Sequence, residues 1–266
     1  MGVDAARTWS CLQAIRRGTP LIQNITNFVS MDMVANGLLA LGASPAMVHA
    51  VEEVSEFGAI ADALVVNIGT LSSTWVPSML KAAGRMAEIE KPWVLDPVGV
   101  GATAYRTGVA RDLLAIGPSV LRANASEVLA LAGGAVAPTK GVDSTHGSEQ
   151  AIEAARALAR QSGSIVAVTG AVDYVTDGER ALHVGNGHPL MTRVTALGCT
   201  SSAVVAAFLT VEPDPLAAAA EALAVFGLAA QHAARKAEGP GSLRWRLLDA
   251  LAGLDETMLQ EGVDIR

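Results

Sequence analysis

Short apolar runs alternate with helix-length segments over most of the chain, and turn signals separate them. The apolar runs predict strands at residues 21–26, 46–48, 64–69, 93–97, 120–124 and 165–170. The intervening and following segments predict helices at residues 31–41, 52–62, 76–89, 126–132, 148–161, 200–209, 215–236 and 241–259. Residues 174–184 predict a hairpin, because Asp177-Gly178 is a strong tight-turn signal, and residues 133–147 predict a polar loop.

Repeated alternation of strand and helix predicts an α/β fold with a mostly parallel central sheet and helices on both faces. No linker or repeat interrupts it, so we expect one domain over residues 1–266. Ligands of such sheets bind beyond the carboxyl ends of the strands. The polar residues that follow the apolar runs are therefore the candidates for chemistry. They are Asn24, Asn27, Asn67, Thr70, Asp96, Asn124, Glu127, Thr169 and Cys199.

Composition narrows the classes of function. The chain has 266 residues, 51% of them apolar, and aromatic residues are only 4%, which suits helices packed tightly against a sheet. Net charge is −7 and no basic cluster is present, so we expect neither nucleic acid nor an anionic membrane surface as a partner. No membrane-spanning run and no signal-peptide core in residues 1–10 are apparent. Cys11 and Cys199 show no metal-ligand spacing, which favours a reducing cytoplasm over a disulfide framework.

The segment from Thr195 to Ser202 contains a Gly198-Cys199 step at the start of an apolar helix. Unpaired backbone N–H groups and the helix dipole attract anions such as phosphates at such a position. The same field is expected to lower the pKa of the Cys199 thiol. The segment thus offers an anion hole and a base or nucleophile, and the alternative is a helix start built from small residues around a structural cysteine.

Two carboxylates follow predicted strands. Asp96 precedes a proline at a strand end, where it either holds a hydrated magnesium ion or forms a turn. Glu127 lies three residues after Asn124, so the pair is either a helix cap or part of a site near a phosphate-bound magnesium, and the two roles are compatible. Arg122 is a natural phosphate clamp or a surface arginine, and Thr169-Gly170 fits a nucleotide-binding turn only weakly.

The ordered set of these motifs is far more specific than any one of them. It comprises Asn24-Ile25-Thr26-Asn27, residues 35–47 ending in Met47, Asn67-Ile68-Gly69-Thr70, Leu95-Asp96-Pro97-Val98-Gly99, Arg122-Ala123-Asn124-Ala125-Ser126-Glu127, Val168-Thr169-Gly170 and Gly198-Cys199. Over about residues 20 to 235 this set resembles the hydroxyethylthiazole kinase family of thiamine biosynthesis. The resemblance implies a three-layer ribokinase-like fold.

The resemblance also implies roles for single residues. Substrate-contacting positions are Met47, Ala196, Asn27, Gly69 and Thr70. ATP-contacting positions are Arg122, Thr169 and Gly198, the magnesium positions are Asp96 and Glu127, and Cys199 is the catalytic position. Met47 reaches the thiazole across a subunit interface in the trimeric family, so a homotrimer is expected. The family loop usually has Gly-x-Gly-Cys, whereas this chain has Ala196 first, where a methyl group either tolerates a negative φ or crowds the site.

The implied reaction transfers the γ-phosphoryl group of ATP to the primary alcohol of hydroxyethylthiazole, with Mg²⁺, in thiamine biosynthesis or salvage. The alternatives are a hydroxymethylpyrimidine kinase or nicotinamide-hydrate dehydratase of the same superfamily, and a non-catalytic thiazole or nucleotide sensor. Met47 and Gly198-Cys199 argue against the first two. A sensor would not need Asp96, Glu127, Arg122 and Cys199 together.

Overall fold

The computed structural model describes residues 3–133 and 144–266, and this part of the chain is built around one eight-stranded sheet. The strands are β1 (Leu21–Ile25), β2 (Ser44–Met47), β3 (Ala63–Asn67), β4 (Trp93–Asp96), β5 (Val120–Asn124), β6 (Ile165–Thr169), β7 (Asp173–Thr176) and β8 (Ala181–Val184). Their order is β2-β1-β3-β4-β5-β6-β7-β8. The pairs from β2 to β6 are parallel, and the β7–β8 hairpin continues the sheet antiparallel.

Helices cover both faces of the sheet. They are α1 (Ala5–Gly18), α2 (Met31–Leu41), α3 (Val54–Ile60), α4 (Trp75–Glu88), α5 (Ala104–Leu114), α6 (Ala125–Leu131), α7 (Ser144–Ser162), α8 (Leu197–Leu209), α9 (Pro215–Ala234), α10 (Pro240–Gly253) and α11 (Glu256–Gly262). One buried apolar cluster joins the sheet to α1, α2 and α8–α11, and a second joins its other face to α3–α7. The predicted three-layer α/β architecture is confirmed.

Several predicted bounds differ from the structure for local reasons. Two helices, α1 and α5, had no counterpart in the sequence prediction, although Asp4 and Thr103 cap them. The predicted helix at 241–259 is two helices, because the backbone leaves the helical conformation at Leu254 and Asp255 caps α11. Of the predicted loop at 133–147, residues 134–143 lie outside the described part, and α7 already begins at Ser144.

Helix α9 is long and apolar enough to cross a membrane by length and composition alone. In the structure, 89% of its most apolar window is buried inside the protein. It packs against α8 and α10 and contacts β6, β7 and β8. Helix α9 therefore has the placement of a core helix.

A cluster of buried ionisable side chains lies where the N-terminal half of α1 meets the N-terminal half of α9. Glu221 of α9 is fully buried, and Arg7 Nε lies 3.5 Å from its Oε1. The ligand atoms of Glu221, Cys11 and Glu212 lie within 4.8 Å of one another. Because Arg7 already supplies a cation to both carboxylates, we assign this group a structural role. Burial raises the pKa of Glu221 to about 7.

We expect Glu221 to make stability fall as pH rises. The folded protein holds this proton up to a pKa of about 7, whereas an unfolded glutamate releases it near 4.3, so the contribution is full below pH 4 and lost above pH 7. Glu221→Gln should remove about 2.5 kcal/mol of the difference in unfolding free energy between pH 5 and pH 8. Urea denaturation at both pH values measures it, with exposed Glu52→Gln as control. Equal pH dependence in Glu221→Gln and the parent protein would refute this assignment.

Candidate functional site

The candidate site lies at the carboxyl edge of the sheet. Asn67 and Asp96 are the last residues of β3 and β4 and lie opposite each other in register. Asn124 and Thr169 end β5 and β6 in the same way. Parallel strands bring all these ends to one edge, which is where the sequence placed the chemistry.

Cys199 lies in the first turn of α8 beside two side-chain amides. Asn67 Nδ2 and Asn27 Nδ2 lie 3.2 and 3.3 Å from its Sγ. The expectation of an acidic thiol is wrong. Burial raises the pKa of Cys199, and the nearby Asp96 carboxylate raises it further, which outweighs the hydrogen bonds from Asn27 and Ser30 and the charge of Arg122. At neutral pH the group is a thiol rather than a thiolate.

Asp96 is fully buried next to the same cluster. Its Oδ2 accepts hydrogen bonds from Asn67 Nδ2 at 2.7 Å and Ser202 Oγ at 2.9 Å. Among the described residues its Oδ1 has no hydrogen-bond partner, and Arg122 Nη1 lies 3.8 Å away. Burial raises the pKa of Asp96, while the Arg122 charge and the two donors oppose the increase. A buried carboxylate oxygen without a donor is available to a cation.

Glu127 has the capping role considered for it. Asn124 and Glu127 form a capping box, with Asn124 N–H donating to Glu127 Oε2 at 2.9 Å and Glu127 N–H to Asn124 Oδ1 at 3.0 Å. Glu127 Oε1 accepts from Gly99 N–H at 2.8 Å, so this side chain also fixes the loop after β4. Burial raises its pKa, and the charge of Asp96 contributes to the increase. Glu127 is therefore a helix-start residue close to Asp96.

These two carboxylates fit a magnesium ion chemically. Mg²⁺ prefers carboxylate oxygens and keeps several of its waters. Asp96 offers an oxygen without a donor, and each Glu127 oxygen accepts only one of the two hydrogen bonds that it has lone pairs for.

A cavity of about 670 Å³ opens on the other side of the α8 start. Arg122, Thr169 and Gly198 line it together, and Arg122 Nη2 donates to Thr169 Oγ1 at 2.8 Å. The rest of its wall is Gly170, Ala171, Asp173, Asn186, Gly187, His188, Pro189, Met191, Thr192, Val194, Ala196, Leu197, Ser201, Leu223, Phe226 and Gly227. The size and the mixture of apolar wall and charged end suit a nucleotide. The three positions expected to contact ATP thus lie together.

Ala196 corrects a second expectation. It is the N-cap residue of α8, with φ 72° and ψ −6°, so it neither takes a negative φ nor gives the helix a side-chain cap. This left-handed conformation suits the glycine that the family loop usually has. Without a side-chain cap, the first N–H groups of α8 stay available to an anion at the cavity.

We expect Ala196→Gly to stabilise the protein. An alanine in the left-handed region costs about 1 kcal/mol relative to glycine, and the greater freedom of glycine in the unfolded chain offsets part of that gain. The expected increase in unfolding free energy is therefore about 0.5 kcal/mol, measured by urea denaturation. Gly239→Ala is the control for the effect of one methyl group at a position where no heavy atom lies within 4 Å of the added Cβ. A loss of stability in Ala196→Gly would mean that the methyl group packs favourably.

The remaining expected substrate positions divide into two groups. Asn27, Gly69 and Thr70 join the Cys199 cluster: Asn27 Nδ2 donates to Asn67 Oδ1 at 2.8 Å, and a Cβ on Gly69 would lie 2.7 Å from Asn27 Nδ2. Thr70 Oγ1 accepts from the N–H of Phe28 at 3.1 Å. Met47 does not join them. It ends the edge strand β2, and β1 separates it from β3.

Sequence reasoning missed other residues of the site. Asn67 was noted as a polar strand end but was not assigned a role, although it bridges Asp96 and Cys199. Ser202 was not assigned a role, because a serine in the second turn of a helix built from small residues is unremarkable in a sequence. Arg106 lies on the unpredicted helix α5 and donates to the carbonyls of Ile68 and Val98, which ties together the loops after β3 and β4.

Fold and site together place the chain among the α/β kinases of small molecules. A pyridoxal kinase from Staphylococcus aureus in complex with ADP shares the fold, with a TM-score of 0.59, 16% identity and coverage of 79% of this chain and 87% of that one. A hydroxyethylthiazole kinase structure from Pyrococcus horikoshii OT3 is far more similar, with a TM-score of 0.91, 45% identity and 98% of each chain covered.

Sequence comparison gives the particular family. The model of the hydroxyethylthiazole kinase family matches residues 12–257. A hydroxyethylthiazole kinase from Granulibacter bethesdensis is 54% identical over 255 residues, which cover 96% of this chain and 93% of that protein. The chain belongs to the hydroxyethylthiazole kinase family, and it is a ribokinase-like phosphotransferase that uses an alcohol as acceptor. The predicted family, fold and enzyme class are confirmed.

Proposed function

We propose that this enzyme transfers the γ-phosphoryl group of ATP to the primary alcohol of hydroxyethylthiazole, in thiamine biosynthesis or salvage. One observation carries the proposal. Gly198 lines the nucleotide-sized cavity, and the next residue, Cys199, lies in the amide and carboxylate cluster that contains Asp96. A phosphate at the start of α8 would therefore lie between the cavity and the acceptor group.

The proposed chemistry is positioning and charge neutralisation. Arg122 and the unpaired N–H groups of the first turn of α8 face the phosphate end of the cavity, where they would stabilise negative charge on the transferring group. Asp96 and Glu127 would hold Mg²⁺, which when bound neutralises phosphate charge. Thr169 keeps the Arg122 guanidinium in place through its hydroxyl.

Cys199 is assigned to the acceptor alcohol. Its raised pKa makes the neutral thiol a poor proton acceptor at pH 7, so its role is to position the hydroxyl group rather than to deprotonate it. The transfer has a loose transition state that requires little early deprotonation. Asn27, Gly69, Thr70 and Ala196 complete the proposed substrate-facing group.

We propose further that the enzyme is a cytoplasmic homotrimer of single-domain chains that share their sites. Within one chain Met47 lies two strand spacings, about 10 Å, from the strand that carries Asn67. Its strand β2 is an open sheet edge, which a neighbouring chain can cover. Phe28, Val29 and Leu39, on or just before α2, are 67%, 59% and 60% exposed, as expected for an apolar contact surface. Both cysteines are unpaired, in keeping with a reducing compartment.

Mixed trimers test the shared site and the reaction together. Asp96→Asn removes the metal-facing charge, and Met47→Asp places a charge in an apolar pocket where it is costly to bury. Each variant alone should have almost no activity. After subunit exchange, mixtures should regain at least a tenth of the parent rate of ATP-dependent hydroxyethylthiazole phosphorylation, since some interfaces combine two intact halves.

Two controls make the result interpretable. Exchange is verified by mass spectrometry of trimers that carry isotopically labelled chains. In a parallel mixture Cys199→Ala replaces Met47→Asp; it changes the same half of the site as Asp96→Asn, so the activity should not exceed that of the separate variants. Verified exchange without recovery would contradict a shared site, and a monomer in solution would exclude one.

A further inference from the structure

Asn67 is the most completely hydrogen-bonded side chain of the site. It ends β3 directly opposite Asp96 and is 1% exposed. Its Oδ1 accepts from Asn27 Nδ2 at 2.8 Å and from Gly69 N–H at 2.9 Å. Its Nδ2 donates to Asp96 Oδ2 at 2.7 Å and to Cys199 Sγ at 3.2 Å. Two acceptor lone pairs and two N–H hydrogens are all that a carboxamide has, so the group is saturated.

This saturation determines which way the amide faces. If it were flipped, the nitrogen would face the Asn27 and Gly69 donors and the oxygen would face the Asp96 carboxylate. Both contacts would be repulsive, so only one orientation is compatible with the neighbours. That orientation aims one N–H at the carboxylate and the other at the sulfur.

We propose that Asn67 is a positioning residue that couples Cys199 to Asp96, so that the group facing the acceptor alcohol and the group facing the metal keep one fixed separation. This inference rests on the proposed function, because it uses the roles given there to both residues. Ser202, on the same helix as Cys199, also donates to Asp96, and Asn27 donates to Cys199 but not to Asp96. Among the described hydrogen bonds, the Asn67 side chain is the one that donates to both residues directly.

Three alanine variants separate the contact of Asn67 with Asp96 from its contact with Cys199. Of the donors to Asp96 and Cys199, Asn67→Ala removes one from each residue, Ser202→Ala removes one from Asp96 and none from Cys199, and Asn27→Ala removes one from Cys199 and none from Asp96. Asn27→Ala also removes the donor to Asn67 Oδ1. Each is made in the parent enzyme and in a Cys199→Ala background, and kcat is measured for ATP-dependent phosphorylation of hydroxyethylthiazole.

Coupling through the sulfur gives a distinct pattern of rates. Asn67→Ala should lower kcat at least about ten-fold in the parent enzyme, because it breaks the contacts to Asp96 and Cys199 together, but no more than about three-fold in the Cys199→Ala background, where only the contact to Asp96 remains to be lost. Ser202→Ala should have the same effect in both backgrounds. Equal effects of Asn67→Ala in the two backgrounds would overturn the proposal. If Asn67→Ala does not fold, Asn67→Ser, too short to reach both partners, is measured in its place.

A second measurement does not depend on the reaction. Peptide-resolved mass spectrometry follows iodoacetamide alkylation of Cys199 from pH 7 to pH 10.5. Amide donors favour a thiolate, so Asn67→Ala and Asn27→Ala should each displace the rate profile upward by about one pH unit, and Ser202→Ala by less than half of that. An unmoved profile in Asn67→Ala would refute the link to the sulfur. A displaced profile in an enzyme that does not phosphorylate the thiazole would retain that link and refute the proposed function.

Discussion

Asp96→Asn should lower kcat by about 10²–10³-fold, the largest effect that we expect from any single conservative change. Asparagine has nearly the same shape, so its carbonyl oxygen can still accept from Asn67 and Ser202. The change removes the negative charge and replaces Oδ1, the oxygen that has no hydrogen-bond donor among the described residues and lies 3.8 Å from Arg122 Nη1. Because a buried charge is costly, the variant should be at least as stable as the parent enzyme.

A second buried carboxylate provides the matched control. Asp173 lines the nucleotide cavity, accepts from Gly170 N–H at 2.9 Å, and has a pKa raised by burial to about 6. Asp173→Asn should lower kcat less than about ten-fold. Steady-state rates over a magnesium titration, with urea denaturation of each variant, give the comparison. Equal losses in the two variants, or an unchanged rate in Asp96→Asn at limiting magnesium, would contradict the metal-facing role of Asp96.

Gly198→Ala should lower kcat/KM for ATP by about 10- to 100-fold, the range of one lost hydrogen bond to a charged group. A Cβ on Gly198 would lie 2.9 Å from Arg122 Nη1 and 3.2 Å from Nη2, too close for the guanidinium to stay. Gly198 is in the first turn of α8, where alanine favours the helix. Since only the end of a flexible side chain must move, folding should not suffer.

Gly84→Ala is the control for a glycine-to-alanine change in a helix. Gly84 lies inside α4, and an added Cβ has no heavy atom within 4 Å. Its unfolding free energy should increase by about 1 kcal/mol while kcat/KM stays the same. If Gly198→Ala behaved like Gly84→Ala, Arg122 would not be the phosphate clamp that we propose.

The sequence predicts the central layer well because its strands carry strong signals. The run that became β3 is apolar on both faces, as parallel strands must be, and the polar residue at each strand end marks the edge where ligands bind. For this reason the structure has four of the predicted polar residues at that edge, namely Asn67, Asp96, Asn124 and Thr169. Their grouping follows from topology, which alternation of strands and helices already indicates.

The parts that could not be predicted depend on three-dimensional surroundings. Proximity to a helix start indicated an acidic Cys199, but burial and the Asp96 charge come from segments far away in sequence. The residue type of Ala196 does not indicate its positive φ, since alanine itself favours a negative φ. The apolar wall of the nucleotide cavity comes from the short helix at Pro189–Arg193 and from α9, whose residues look like ordinary core in a sequence.

Identification of the phosphorylated product tests the central claim most directly. The enzyme is incubated with ATP, Mg²⁺ and hydroxyethylthiazole, with hydroxymethylpyrimidine and simple primary alcohols in parallel, and ³¹P NMR with mass spectrometry identifies any ester. We predict one phosphate ester on the hydroxyethyl oxygen, formed mole for mole with ADP, and rates at least about a hundred-fold lower with the other alcohols. An ester formed preferentially on the pyrimidine, or thiazole and nucleotide binding with no ester at all, would contradict the account.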